Sequence, residues 1–174
     1  MKLIFLDFDG VVNNYPFLRE VLSQGLVKGY GFKDPTDVNM IDLEKIKLLN
    51  KILDATGASI VISSSWRNTY TSDELRDFLQ LKGLNKPESI IGETGSTRHS
   101  QTAKELDVPV GASVDRGVLI QHWLKQHPEV TTYVALDDDP GAGEAGTVWL
   151  KTDPEIGLTE EIVEKAAQIL NSKD

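Results

Sequence analysis

No cysteine occurs in the chain, so disulfides and thiolate-bound zinc are both excluded, and a metal would have to sit on oxygen or imidazole. Imidazoles are few as well: His99, His122 and His127 are the three histidines, and they do not form a ligand-spaced set. No apolar run approaches the ~20 residues of a membrane span. The stretch Leu3 to Leu6 is too short for the apolar core of a signal peptide and runs into Asp7. A soluble chain is therefore expected, with the cytoplasm as its default location and no membrane partner. Positive charge is also in short supply. Lys and Arg number 18 against 27 Asp and Glu, a formal charge of −9, and the basic residues form no run. Such a field repels a nucleic-acid backbone and argues against an extended nucleic-acid groove. Internal repeats, low-complexity tracts and long linkers are missing too. The 174 residues that remain are enough for one domain that buries roughly two thirds of its unfolded surface without staples.

Hydrophobic patterning alternates between two periods. Residues 2–8, 58–62, 131–136 and 146–151 read as short buried strands, with a further one possible at 89–91. Helical spacing appears near 17–26, over 39–55 with apolar positions at Leu43, Ile46, Leu49, Ile52 and Leu53, over 116–126, and over 159–170. Gly57 offers a left-handed stop to the second of these, and Ser72 reads as the cap of another helix running to about Lys82. Residues 86–115 are weakly patterned and end in a polar Gly/Ser/Thr-rich loop. Strands that are continuous apolar runs, alternating with helices, predict a parallel sheet covered on both faces.

Ligands in open α/β sheets bind outside the carboxyl ends of the strands. Three expected strands end in small or acidic polar residues: Asp7-Phe8-Asp9, Ser63-Ser64 and Asp137-Asp138. A parallel sheet brings all three ends to one edge. Two carboxylates 4 Å apart repel by about 4 kcal/mol at an effective dielectric of ~20, so such a cluster calls for a cation. Hard oxygen donors favour Mg²⁺, which can bridge a carboxylate and a phosphoryl oxygen.

In this order and spacing the residues resemble the haloacid dehalogenase (HAD) superfamily. Asp7-Phe8-Asp9-Gly10-Val11-Val12 meets its first motif in full. Ser63 or Ser64 meets the second, Arg116 the third in place of the commoner Lys, and Asp137-Asp138 the fourth. Ser64-Ser65-Trp66-Arg67, Lys151-Thr152-Asp153-Pro154 and Gly157-Leu158-Thr159 are similar, more narrowly, to the small HAD domains of bacterial and phage RNA-repair proteins. The resemblance implies a Rossmann-like three-layer α/β sandwich with a mostly parallel sheet. Residues 1–174 would form a single domain with a minimal cap, built from inserts at about 13–38 and 86–115.

It also implies a Mg²⁺-dependent phosphomonoester hydrolase. Asp7 would take the phosphoryl group as an aspartyl-phosphate. Asp9 would be general acid, then base. Ser63 or Ser64 and Arg116 would hold phosphoryl oxygens. The metal would be held by Asp7, the Asp9 carbonyl and Asp138, with Asp137 ordering a metal-bound water. The expected partner is a phosphorylated small molecule, a nucleotide or a nucleic-acid end, reached through a partly open mouth walled by residues 13–38 and 92–115, and whether loop 92–115 closes over it stays open at this point. Two other readings share these residues: a non-catalytic binder of phosphorylated ligands, and a phosphotransferase that excludes water. Taken singly the motifs have blander readings. Asp9-Gly10 also suits a tight hairpin, Asp137 to Pro140 a plain turn, and Arg116 a surface helix position.

Overall fold

The computed structural model describes residues 1–28 and 33–172. In chain order the elements are β1 (Lys2–Leu6), α1 (Tyr15–Ser23), α2 (Leu43–Thr56), β2 (Ser59–Ile62), α3 (Ser72–Leu81), β3 (Ile90–Glu93), α4 (Ser100–Glu105), α5 (Arg116–Gln126), β4 (Thr132–Asp137), β5 (Trp149–Lys151) and α6 (Glu160–Asn171). Tight 3₁₀ turns occupy Pro35–Met40, Ser65–Asn68, Pro87–Ser89 and Pro140–Gly146. The five strands form one sheet in the order β3-β2-β1-β4-β5, and every pairing is parallel. β1 therefore lies at the centre, and its neighbours β2 and β4 are reached by crossovers in opposite directions.

Strand alternation divides the core. Ile4, Leu6, Ile60, Ile62, Val134 and Leu136 face a large apolar layer supplied by α1, α2, α3 and α6. Leu3, Phe5, Val61 and Ala135 face the other way, against Ile120 and Trp123 of α5. Both sheet faces are thus covered, which explains why these strands read as unbroken apolar runs rather than alternating ones. Each fully buried Leu, Ile or Phe here is worth on the order of 1.5–3 kcal/mol, and the edge of the sheet is rigid because it is built on them.

Several element ends differ from the sequence expectation, each for a local reason. The helix expected from residue 39 begins at Leu43, because Pro35–Met40 tightens into a 3₁₀ turn and the Asp42 side chain caps Glu44 N–H. It ends where expected, with Gly57 at φ +64° donating its N–H to Leu53 O. Thr71 rather than Ser72 caps α3, in a reciprocal box with Glu74. Ser72 instead donates to Glu93 at the end of β3. The strand expected over 146–151 shortens to Trp149–Lys151, since residues 140–146 coil as a 3₁₀ turn. The expected strand at 89–91 pairs as Ile90–Glu93 with an irregular register between Ile60 and Val61. Residues 92–115 are not all loop: they contain α4, whose Ala103 is buried. Of the expected insert 13–38, the described part carries α1 and the start of a 3₁₀ turn, and residues 29–32 lie outside the described residues.

Candidate active site at the carboxyl edge of the sheet

The register places the site. Phe5 pairs with Val61 on one side and Ala135 on the other. Counting on by two brings Asp7 level with Ser63 and Asp137, all three on the α5 side of the sheet. The ladder is carried that far by Asp7 N–H to Leu136 O at 3.0 Å and Ser63 N–H to Leu6 O at 2.8 Å. Arg116, the first residue of α5, reaches over this edge. Its Nη1 pairs with Asp7 Oδ2 and lies 2.5 Å from Asp137 Oδ2.

Asp7 is 4% exposed, and its Oδ1 accepts Phe8 N–H at 2.8 Å. Asp137 accepts Asp139 N–H at 2.9 Å through Oδ1. Asp138, half-buried, completes a group in which one carboxylate oxygen each from Asp7, Asp137 and Asp138 lies within 4.8 Å of the others. Gly10 makes that approach possible. It has φ +70°, and a Cβ there would stand 2.7 Å from the Asp138 carboxyl. The turn that follows β1 closes on Phe8 O from Val11 and Val12 N–H, so Asp9-Gly10 opens a crossover and not a hairpin. Asp139 is the turn residue of the triplet: its side chain caps Gly141 N–H.

Asp7 and Asp137 share one guanidinium with Asp138 close by, and the balance shows in the acidities of Asp137 and Asp138. Burial, with the charge of Asp7 added, pushes Asp137 up to about 7 against the opposing pull of Arg116. Burial and then Asp7 raise Asp138 as well. Burial alone would lower Arg116, but Asp7 and Asp137 outweigh it and hold the guanidinium charged. Crowded hard oxygens whose protonation is the alternative to a counter-ion fit a divalent cation of the Mg²⁺ type, and Asp7, Asp137 and Asp138 are the residues that would hold it.

The Asp9 carboxylate lies outside that group of three. Its Oδ1 accepts Asn13 Nδ2 and its Oδ2 accepts the Trp66 indole N–H, each at 3.0 Å. Burial raises its pKa, and those two hydrogen bonds work in the opposite direction. Trp66 is itself buried, packed on Phe8 at 5.2 Å between ring centroids, so it both fills the core and orients Asp9.

The two serines differ. Ser64 Oγ caps the following turn by accepting Trp66 N–H, whereas buried Ser63 Oγ has no hydrogen-bond partner among the described residues. Thr94 after β3 and Thr152 after β5 likewise carry buried, unpartnered hydroxyls, so all five strands end in a polar residue on this edge. His99, His122 and His127 do not join it. His122 meets Glu105, His127 stacks on Trp123, and His99 is exposed at the start of α4.

Two residues near the site were not singled out from the sequence as site residues. Asn13 is fully buried and clamps the turn, accepting Gly10 N–H while donating to Asp9. Its position, three residues after a glycine with positive φ, is the signal that could have found it. Arg67 is buried, bonds Ser64 O and Gly95 O, and has an unpartnered Nε. Burial, followed by the nearby charge of Arg116, pulls it down to about 10. A lone Arg one residue past a core Trp gives little warning of such burial.

Among the described residues no helix is long and apolar enough to cross a membrane. Comparison with curated proteins and with solved structures returns no match to either. The family model for the HAD domain in Swiss Army Knife RNA repair proteins matches residues 3–163. With that match covering nearly all of the chain, and the sheet order and aspartate edge agreeing with it, this protein belongs to the HAD domain family of Swiss Army Knife RNA repair proteins.

Proposed function

We propose that this chain is a Mg²⁺-dependent phosphomonoester hydrolase that works in the cytoplasm through an aspartyl-phosphate on Asp7. The observation that carries the reading is the buried Asp7 at the end of the central strand, in register with Ser63 and Asp137 and paired to Arg116. Asp7 attacks phosphorus as the leaving alkoxide departs, and a water later attacks the acyl phosphate to release inorganic phosphate. Asp9, swung from its Asn13 and Trp66 contacts, donates a proton to the leaving oxygen and then accepts one from that water. Arg116 and the Ser63 hydroxyl hold equatorial phosphoryl oxygens. Of the two serines, Ser63 is favoured by its register with Asp7 and its unpartnered Oγ. Asp7 and Asp138 would hold Mg²⁺, with Asp137 close enough to join them or to order a metal-bound water, and the ion would supply charge neutralisation at the phosphoryl oxygens. The Asp9 carbonyl is a further ligand in this reading. Incubation with an aryl phosphate and Mg²⁺ tests the reading. Phosphate release supports hydrolysis, and transfer to an added alcohol without release reassigns the chain as a phosphotransferase.

Asp9→Asn separates acid catalysis from nucleophilic attack. The variant keeps the backbone carbonyl but not the proton, so loss should be steep with an alkyl phosphate, on the order of 10²-fold or more, and small with an activated aryl phosphate. Equal loss on both would remove Asp9 from the acid role.

The acidic triplet yields a second expectation. Asp138→Ala should raise the Mg²⁺ concentration needed for half activity by about tenfold or more, while Asp139→Ala, which loses a turn cap, should not. The reverse order in a Mg²⁺ titration would shift the metal role to Asp139.

A further inference from the structure

The hydrolase reading, on which this inference rests, has a spatial consequence. A general acid must touch the oxygen that leaves, so the leaving group lies on the Asp9 side of the phosphorus. Asp9 borders a cavity of about 390 Å³ whose other walls are Tyr15, Leu18, Arg19 and Leu22. These four fall at i, i+3, i+4 and i+7, one face of α1. Another cavity, about 460 Å³ beside β3, is walled by Arg67, Glu93 and His99 among others and does not include Asp9. It also carries the carboxylates of Asp73 and Glu93, which disfavour a phosphorylated leaving group.

The α1 cavity has an apolar wall with one cation. Leu18 is buried at its base, and Leu22 is exposed. Tyr15 is 43% exposed. Tyr70 and Tyr133 both use ring and hydroxyl within the fold. Among the described residues the Tyr15 ring meets no other aromatic ring and its hydroxyl forms no hydrogen bond. Among the described residues Arg19 pairs only with Glu155, at 3.3 Å, both side chains more than half exposed, a contact that water and salt weaken and an incoming anion can replace. A flat aromatic face, aliphatic neighbours and one replaceable guanidinium beside an acid suit a planar base attached to a sugar phosphate.

We infer that this face of α1 is the leaving-group site, with the base of a terminal nucleoside stacked on Tyr15 and the next phosphate of the strand meeting Arg19. One guanidinium matches the few-phosphate contact that a chain of charge −9 permits.

The test compares wild type, Tyr15→Ala and Tyr15→Phe with a fluorescent trinucleotide phosphorylated at one end, in its 5′ and 3′ forms. Equilibrium binding is read by anisotropy, and kcat/KM for the trinucleotide is taken relative to acetyl phosphate, which carries no base. Tyr15→Ala should weaken binding and cut the kcat/KM ratio by about tenfold or more for at least one form, with Tyr15→Phe restoring both. Unchanged binding in Tyr15→Ala, or a loss that Tyr15→Phe does not restore, overturns the inference whatever the turnover. If wild type hydrolyses neither substrate while Tyr15→Ala still binds tenfold more weakly, the base site stands and the hydrolase reading falls.

Discussion

Asp7→Asn should lower phosphate release by on the order of 10⁴-fold or more, with the fold retained and no phosphoprotein recovered on acid quench. The side chain sits where β1 ends, buried, with Phe8 N–H on one oxygen and Arg116 on the other. A carboxamide of the same shape can still accept Phe8 N–H, so the turn around Gly10 persists. It cannot supply the anionic oxygen that attacks phosphorus, and no other described carboxylate occupies the centre of the edge: Asp137 is held by Arg116 and Asp139 N–H, and Asp9 by Trp66 and Asn13. Removing one of three crowded charges also relieves Asp137, whose raised pKa owes part of its shift to Asp7. Circular dichroism and a thermal scan should therefore show a folded variant. Wild-type turnover in Asp7→Asn would end the proposed mechanism.

Removal of divalent metal should abolish turnover, and Mg²⁺ should restore it. The same carboxylates make the metal's effect on stability depend on pH. Asp137 is raised to about 7, and Asp9 and Asp138 are raised too, burial being the largest cause in each. A carboxyl that binds its proton more tightly when folded contributes stability that is complete below the unfolded pKa of ~4 and is lost as pH climbs through ~7. Asp34 shifts the opposite way, to about 2, through Lys28 and Thr36, and its contribution is complete above ~4, so it does not tilt this window. The metal-free protein should thus melt at lower temperature at pH 8 than at pH 5. Mg²⁺ competes with those protons, so its stabilisation should grow over the same range. At a hundredfold excess over Kd the gain is about 2.7 kcal/mol, several degrees for a domain of this size. Differential scanning at pH 5, 6, 7 and 8 with EDTA or Mg²⁺ measures it. A Mg²⁺ increment that stays flat across that series would remove the carboxylate cluster as the metal's seat.

Much of this was legible before any coordinates. Runs such as Leu3 to Leu6 and Val134 to Leu136 are apolar without alternation, and a strand buried on both faces has to look like that. Five parallel strands with helices on both faces follow from it. The α5 boundaries agree because Arg116 opens a plain helical period and His127 breaks it. Agreement failed at short irregular pieces. The two residues Thr71 and Ser72 are equally good caps by composition, and only Glu74 reaching back to Thr71 N–H chooses between them. Residues 140–146 are small and weakly patterned, and whether they extend β5 or coil depends on the burial of Ala142 and the close approach of the Glu144 backbone to Gly117 of α5.

What the sequence by itself determined was which residues are chemical and that the strand ends gather them. Asp7, Ser63, Asp137 and Asp138 each follow an apolar run, and parallel pairing sends those runs to one edge. What only the tertiary structure decided was how these groups face one another. Ser63 and Ser64 are indistinguishable in the chain, yet a period of two turns one toward Asp7 while the other spends its oxygen on a turn. Asp9 looks like a partner of Asp7 by spacing alone, but Trp66 and Asn13, distant by 57 and 4 residues, hold it aside. Burial of a side chain and the direction in which it points come from packing between segments far apart in sequence. Local patterning records the period of a strand and carries no information about the neighbour that the strand will meet.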